Sequence, residues 1–201
     1  MDKALRKNVG DLIKTARKAG ATQAKTIDIS DLIVDRRVRL KCMIPVCNYY
    51  KRHLLCPPNL MSVDEFAETL KGYEKALILQ VESDFDAADK LNMPLTEEAY
   101  RNLEKETRVS EYELKLHRIV NQLETEAFKR GYYFATGLIA GSCKLCTECV
   151  GQGGVCKHPF EARPSMEAMS IDVVETCKRA CLPLELSSDR KVRWTGLVLL
   201  Y

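Results

Sequence analysis

The sequence carries little net charge and no long apolar run, and both absences restrict what the chain can do. Its 31 basic and 28 acidic residues leave a net charge of +3, which is too small to require nucleic acid as a partner. The longest apolar run, 132–140, is interrupted by Thr136 and Gly137 and is too short to span a bilayer. Residues 1–20 intersperse charges among apolar positions, unlike a signal peptide. We therefore expect a cytoplasmic protein without a membrane span or a nucleic-acid partner.

Common catalytic motifs are also missing. The chain has no phosphate-binding G-x4-G-K-S/T loop, no G-x-G-x-x-G after a predicted strand and no G-x-S-x-G nucleophile elbow. Carboxylates on a predicted helix, which we interpret as solvent-facing, are Glu97, Glu98, Glu104 and Glu106. No reaction is therefore indicated outside the cysteines, and whether the protein is an enzyme stays open.

Helical and extended patterns alternate along the chain, and we expect a single domain over residues 1–201. The predicted helices are 3–19, 62–70, 96–130 (in two pieces) and 166–180, and the predicted strands are 25–29, 76–81, 132–140 and 192–201. Capping boxes begin at Ser62 and Ser110. This order favours an α/β fold, with α+β as the alternative: a single mixed sheet flanked by helices, with cysteine-rich cluster-binding loops at its ends.

Seven of the nine cysteines fall into two groups, in loops 36–60 and 141–165. An odd number of cysteines in a protein expected in the cytoplasm argues against a disulfide framework. The first group is Cys42, Cys47 and Cys56, and the second is Cys143, Cys146, Cys149 and Cys156. We predict that the two loops form the metal-binding region and that all seven thiols are ligands.

The spacing of the second group favours an iron–sulfur cluster over zinc. Two residues between successive thiolates let one loop bind several corners of a cubane, as in bacterial ferredoxins. Structural zinc sites more often use two separated cysteine or histidine pairs. Glycines 141, 151, 153 and 154 surround the run, which lets the backbone bend around inorganic sulfide. We therefore predict one or two [4Fe–4S] clusters, with zinc as the less favoured metal.

Ligand counting leaves three possibilities open. Two clusters bound only by cysteine need eight thiolates, whereas the two groups supply seven. One iron is open to another group, or Cys177 or Cys181 is the eighth ligand, or there is a single cluster. Cys177 and Cys181 lie four residues apart on a predicted helix, which is also typical of core thiols.

Three other features near the cysteines allow more than one interpretation. His158 is a possible ligand, a hydrogen-bond donor to cluster sulfur or a turn residue. His53 and His117 are isolated in sequence, and we expect His117 to be solvated on a polar helix face. Basic residues around the first group either form a solvated loop or offset the charge of a cluster; they are Arg36, Arg37, Arg39, Lys41, Lys51 and Arg52.

Several segments resemble an uncharacterised prokaryotic family of predicted metal-binding proteins. The resemblance rests on Arg39–Cys42, Cys47, Cys56-Pro-Pro, the C-x2-C-x2-C run and residues 156–173, and it extends from about residue 24 to 200. Ser170 stands where glycine is expected in that pattern, and Cys177 and Cys181 are not part of it. The resemblance implies a metal, iron–sulfur in type, and an anaerobic setting. Within residues 163–168 we expect structural roles for Arg163 and Glu167, and a helix capped by Ser165.

Three functional hypotheses follow. The first is an iron–sulfur protein that transfers electrons to a redox partner protein, since electron transfer needs no substrate machinery. The second is an enzyme whose three-cysteine cluster leaves one iron open for redox or sulfur chemistry. The third is a zinc-stabilised binding module. An exposed cluster loop also makes a homodimer a possible arrangement.

Overall fold

A computed structural model of the chain describes residues 3–44, 47–86, 107–184 and 191–201. In chain order its helices and strands are α1 (Lys3–Lys18), β1 (Gln23–Asp28), α2 (Leu40–Met43), α3 (Val63–Leu70), β2 (Lys75–Asp86), α4 (Thr107–Lys129), β3 (Thr136–Leu138), α5 (Val173–Arg179) and β4 (Lys191–Leu200). Two short 3-10 helices, Ile29–Asp31 and Arg36–Arg39, lie between β1 and α2. No helix among these described residues is both long and apolar enough to cross a membrane.

One four-stranded sheet has the order β1-β2-β4-β3, and every neighbouring pair of strands is antiparallel. The expected combination of a single sheet with helices is confirmed, and the α+β alternative describes it. The prediction of a mixed sheet was wrong. Strand β1 pairs with β2, the next strand in the chain, and β3 pairs with β4 in the same way. In each pair the connecting segment begins and ends at the same end of the sheet, so the two strands run in opposite directions.

The sheet is buried on both faces, which explains the continuous apolar run in β2. Leu77, Leu79 and Val81 pack with α1 and α4, whereas Ala76 and Ile78 point to the opposite face. That second face is covered by α3, α5 and the turn at 165–171, through side chains that include Phe66, Leu70, Met166, Ile171 and Cys177. The cysteine loops therefore extend from a scaffold of three layers, in which helices pack on both faces of the sheet.

Several predicted element boundaries differ from the structure. The predicted strand 132–140 is regular only over Thr136–Leu138, because Tyr132 and Ala135 form a turn that follows α4. Ser62 does form its capping box with Glu65, but Ser110 lies inside α4, so no helix begins there. The first part of the predicted helix 96–130 lies outside the described residues.

The predicted helix 166–180 is broken near its middle. Ser165 Oγ accepts a hydrogen bond from the Ala168 amide at 3.1 Å, yet it caps only one turn. Ser170 then adopts a φ of 67°, which a helix cannot contain, and α5 begins only after Asp172, whose side chain accepts from the Glu175 amide at 3.0 Å. The expectation that Ser165 caps the helix was therefore wrong.

Candidate metal centre

Two isolated backbone bridges bring the cysteine loops to the same place. Val34 pairs with Ile171 just before the first loop begins. Ile139 pairs with Ser165, and its carbonyl accepts a hydrogen bond from the Met166 amide at 2.9 Å. Since the second loop leaves directly after Ile139, the segment 164–171 lies between the starts of both loops.

The first loop folds into short turns that point three thiols into one cavity. The Cys47 amide donates to the Cys42 carbonyl at 3.0 Å, and the Cys56 amide donates to the His53 carbonyl at 3.1 Å. A cavity of about 210 Å³ is lined by Cys42, Cys47 and Cys56 together with Glu113, Lys144 and Glu167. We call it the three-thiol pocket.

The second loop forms a neighbouring cavity. Gly141 adopts a φ of 68° and turns the chain away from the sheet, and a Cβ there would lie 2.5 Å from Glu113 Oε1. A cavity of about 530 Å³, here called the second-loop pocket, is lined by Cys143, Cys146 and Cys149. At Gly151, φ is 73° and a Cβ would lie 3.0 Å from the Arg52 carbonyl, so the two loops approach closely.

Direct contacts link the two pockets. Tyr49 and Lys144 line both of them, and Lys144 Nζ donates to Tyr49 Oη at 2.8 Å. His53 Nδ1 accepts from the Leu55 amide at 3.3 Å, so we assign the ring proton to Nε2, which then donates to the Cys143 carbonyl at 3.2 Å. His53 is buried and joins the two loops, a role that its isolation in sequence did not indicate.

Burial and neighbouring thiols raise the pKa of three of these cysteines, namely Cys42, Cys56 and Cys143. Burial, followed by the neighbouring thiols of Cys47, Cys42, Cys149 and Cys143, raises the pKa of Cys56 to about 12. These neighbours include thiols of both groups, in agreement with the direct contacts between the two loops. Without metal, Cys56 is therefore protonated at neutral pH, and ligation would release its proton.

Cys156 lies on a loop that α4 holds in place; it lines neither pocket, but it is close enough to Cys143 to affect the ionisation of that thiol. Burial, more than the nearby thiol of Cys156, raises the pKa of Cys143, and the His158 amide lies 3.4 Å from Cys156 Sγ as a donor. The His158 ring instead faces Glu161, with Nδ1 3.4 Å from Oε2. His158 therefore contacts cysteine sulfur through its backbone, and its ring lines neither pocket.

Three side chains of α4 anchor the 156–165 loop. His117 Nε2 and Asn121 Nδ2 both lie within donor distance of the Glu161 carbonyl, at 2.7 and 2.9 Å. Glu124 forms a two-point ion pair with Arg163, at 2.9 and 2.5 Å. His117 is buried, and burial lowers its pKa, so the expectation of a solvated His117 was wrong. Arg163 holds the loop, in line with the structural role expected for it.

The predicted cations divide into surface pairs and site residues. Arg36 pairs with Asp64, and Arg37 pairs with Asp35 at 2.5 Å, both at exposed positions. Arg39 donates to the Met61 carbonyl at 2.7 Å and lies near enough to Cys42 to affect its ionisation. Lys144, which the sequence did not single out, is the cation shared by both pockets.

The two remaining cysteines lie apart from the seven. Cys177 is fully buried in the core, where its thiol lies 3.8 Å from Thr195 Oγ1 and from Gln80 Nε2. Cys181 is exposed beyond the end of α5. Neither lines the three-thiol pocket or the second-loop pocket. The structure thus favours the interpretation of Cys177 as a core thiol.

Glu167 lies at the candidate site, although the sequence led us to expect only a structural role for it. It lines the three-thiol pocket, its Oε2 atom is buried, and no hydrogen-bond partner for that oxygen lies among the described residues. Burial raises the pKa of Glu167. Burial, then Cys47 and Glu167, raises the pKa of Cys42. The only possible sequence signal was the position of Glu167 in the 156–173 segment.

A larger cleft adjoins the three-thiol pocket. Its volume is about 650 Å³, and its lining shares Glu113, Gly141 and Glu167 with that pocket. Across the described ranges, no three His, Cys, Asp or Glu side chains converge tightly enough to hold one metal ion. The thiols are therefore neighbours along two pocket walls, not members of a preassembled single-ion cage.

Comparison with known proteins agrees with a metal-binding role. Residues 25–200 match the family described as Predicted metal-binding protein (DUF2284), and the chain belongs to that family. The matched range includes both cysteine groups. No curated protein and no solved structure matches the chain.

Proposed function

We propose that this member of the predicted metal-binding family is an iron–sulfur protein that holds one or two [4Fe–4S] clusters and passes electrons to a redox partner protein. The main support is the proximity of the two cysteine groups, which are almost 90 residues apart in sequence (Cys56 to Cys143) yet contribute six of their seven thiols to two adjoining pockets. A donor set made of thiols suits iron–sulfur clusters, because soft ligands favour them.

In this proposal, Cys143, Cys146, Cys149 and Cys156 hold one cluster, and Cys42, Cys47 and Cys56 hold or complete another. A bound cluster would supply one-electron chemistry. The chain itself supplies the surroundings: His53 fixes the distance between the loops, the His158 amide donates to Cys156 Sγ, and Lys144 places positive charge between the pockets. Such donors and charges tune cluster potentials.

The cleft supports a second candidate, an enzyme with an open iron. Only three thiols line the three-thiol pocket, and the cleft next to it is large enough for a small molecule. A cluster with one non-thiolate corner there would have a route to substrate. A cytoplasmic location and a homodimer stay predictions from the sequence.

Anaerobic purification tests the metal assignment. We expect a brown protein with about eight iron and eight sulfide ions per chain for two clusters, or about four of each for one. The Cys146→Ser variant should lose iron and sulfide. Cys181→Ser is the matched control, because Cys181 is exposed and lies outside both pockets, and it should retain the wild-type content. A colourless protein with stoichiometric zinc would instead establish a zinc-binding module.

A separate measurement distinguishes the carrier from the enzyme. We expect the reduced clusters of a carrier to give an EPR spectrum that small iron ligands such as cyanide do not change. A spectrum that changes with these ligands would contradict the carrier assignment and favour the open-iron enzyme.

A further inference from the structure

We propose that Glu167 supplies a carboxylate oxygen as the fourth ligand of the metal centre held by Cys42, Cys47 and Cys56. This inference rests on the proposed iron–sulfur function. It supplies the eighth ligand that two clusters need without using Cys177 or Cys181. A cubane has four irons, and the three-thiol pocket offers thiols for three of them. The fourth corner needs a different group.

The backbone places Glu167 at this pocket from a rigid support. Met166, the preceding residue, is fully buried, and its amide donates to the Ile139 carbonyl at 2.9 Å. The Ser170 amide donates to the Glu167 carbonyl at 2.9 Å, which closes the turn behind it. Glu167 is therefore held at the pocket wall by main-chain bonds on both sides.

One oxygen of the Glu167 carboxylate lacks a hydrogen-bond donor. Its Oε2 atom is buried and has no hydrogen-bond partner among the described residues. Burial raises the pKa of Glu167, although the nearby backbone amide and the Ser165 hydroxyl act in the opposite direction. A buried carboxylate oxygen without a donor is unfavourable, whereas a metal ion would satisfy it. Lys41 attracts the group electrostatically without forming a hydrogen bond to Oε2.

Glu113 lines the same pocket but has a different environment. Its Oε2 lies 3.8 Å from Lys144 Nζ, and both side chains are mostly buried, so its charge is paired with a cation. The two glutamates thus share the pocket and the cleft, and neither Oε2 atom accepts a hydrogen bond from the described residues. They differ in that Glu113 Oε2 lies within ion-pair distance of a cation, Lys144. This difference makes Glu113 a matched control for Glu167.

Ligation by Glu167 has a structural consequence for access. Glu167 stands in the wall that the three-thiol pocket shares with the 650 Å³ cleft. A carboxylate bound at this corner would occupy the iron that faces the cleft, so a carrier would have no open iron there.

Mössbauer spectroscopy of the wild-type protein enriched in ⁵⁷Fe gives a test that needs no variant. We expect a distinct iron site with the larger isomer shift of oxygen ligation, besides the thiolate-ligated sites. Absence of acid-labile sulfide and iron would contradict the proposed function itself. Clusters whose irons are all thiolate-ligated would overturn the Glu167 assignment alone.

The variants Glu167→Gln and Glu113→Gln separate ligation from general electrostatics, since each removes one negative charge with little change in shape. We expect Glu167→Gln to abolish the distinct iron site and to lose one iron per chain to a chelator on the order of tenfold faster. Glu113→Gln should retain both properties. Equal effects of the two variants, or no effect of Glu167→Gln, would overturn the proposal. Circular dichroism checks the fold, and the wild-type spectrum remains decisive if Glu167→Gln is misfolded.

Discussion

Replacing Ser170 by glycine is expected to stabilise the protein, although the residue is fully buried. Ser170 has a φ of 67°, where an L-residue with a Cβ is disfavoured by about 1–2 kcal/mol. Its buried Oγ has no hydrogen-bond partner within the part of the chain that the structure describes, which costs roughly another 1 kcal/mol. Two effects of the glycine oppose this gain: the unfolded chain has more conformational freedom, and the packing contacts of the serine side chain are lost. Together they reduce the gain by about 1 kcal/mol. The net gain is therefore about 1–2 kcal/mol.

For a chain of this length, each 1 kcal/mol of that gain raises the melting temperature by roughly 2–4 °C. The assay is a calorimetric scan of wild type, Ser170→Gly and Ser170→Ala at matched metal content. Alanine removes the orphaned hydroxyl but keeps the Cβ at positive φ, so the difference between the two variants isolates the backbone contribution. A glycine variant that melts at or below the alanine variant would refute the reasoning.

Three further outcomes are expected. Burial lowers the pKa of His117 in the folded protein. Below about pH 6.5 the unfolded chain therefore binds a proton at this residue that the folded chain does not bind. The free energy of unfolding is consequently highest above that pH and decreases as the pH falls below it. His117→Gln should reduce this loss by about 1 kcal/mol in urea titrations between about pH 7.5 and 5.5, and an unchanged pH slope would contradict the assignment. Arg163→Met leaves Glu124 without its partly buried partner and should lower the free energy of unfolding by roughly 2 kcal/mol in thermal unfolding. As the control, Lys178→Met at an exposed ion pair should lower it by less than about 0.5 kcal/mol. Equal losses in the two variants would count against the anchoring role of Arg163. His53→Phe removes the hydrogen bond between the loops and should accelerate iron loss to a chelator by about tenfold, with the exposed Lys51→Met as the control that keeps the wild-type rate.

Local sequence patterns were sufficient for much of the scaffold. The apolar run at 76–81 predicts a strand buried on both faces, and Ser62 with Glu65 predicts the start of α3. Both predictions depend on neighbouring residues, because side-chain burial and capping act over a few positions. The break at Ser170 could not be predicted this way, since a positive φ at serine is imposed by the bridges to Ile33 and Asp35.

The sequence alone identifies the two groups of cysteines and therefore predicts that the protein binds a metal. It can do so because the type of ligand and the spacing between ligands determine which metals are suitable. Only the tertiary structure decided that the two groups adjoin, that His53 joins them and that Cys177 is a core thiol. It also brought Glu167 to the three-thiol pocket with an unused oxygen. These relations depend on backbone pairings between residues more than 100 positions apart, such as Val34 with Ile171, and spacing along the chain carries no information about them.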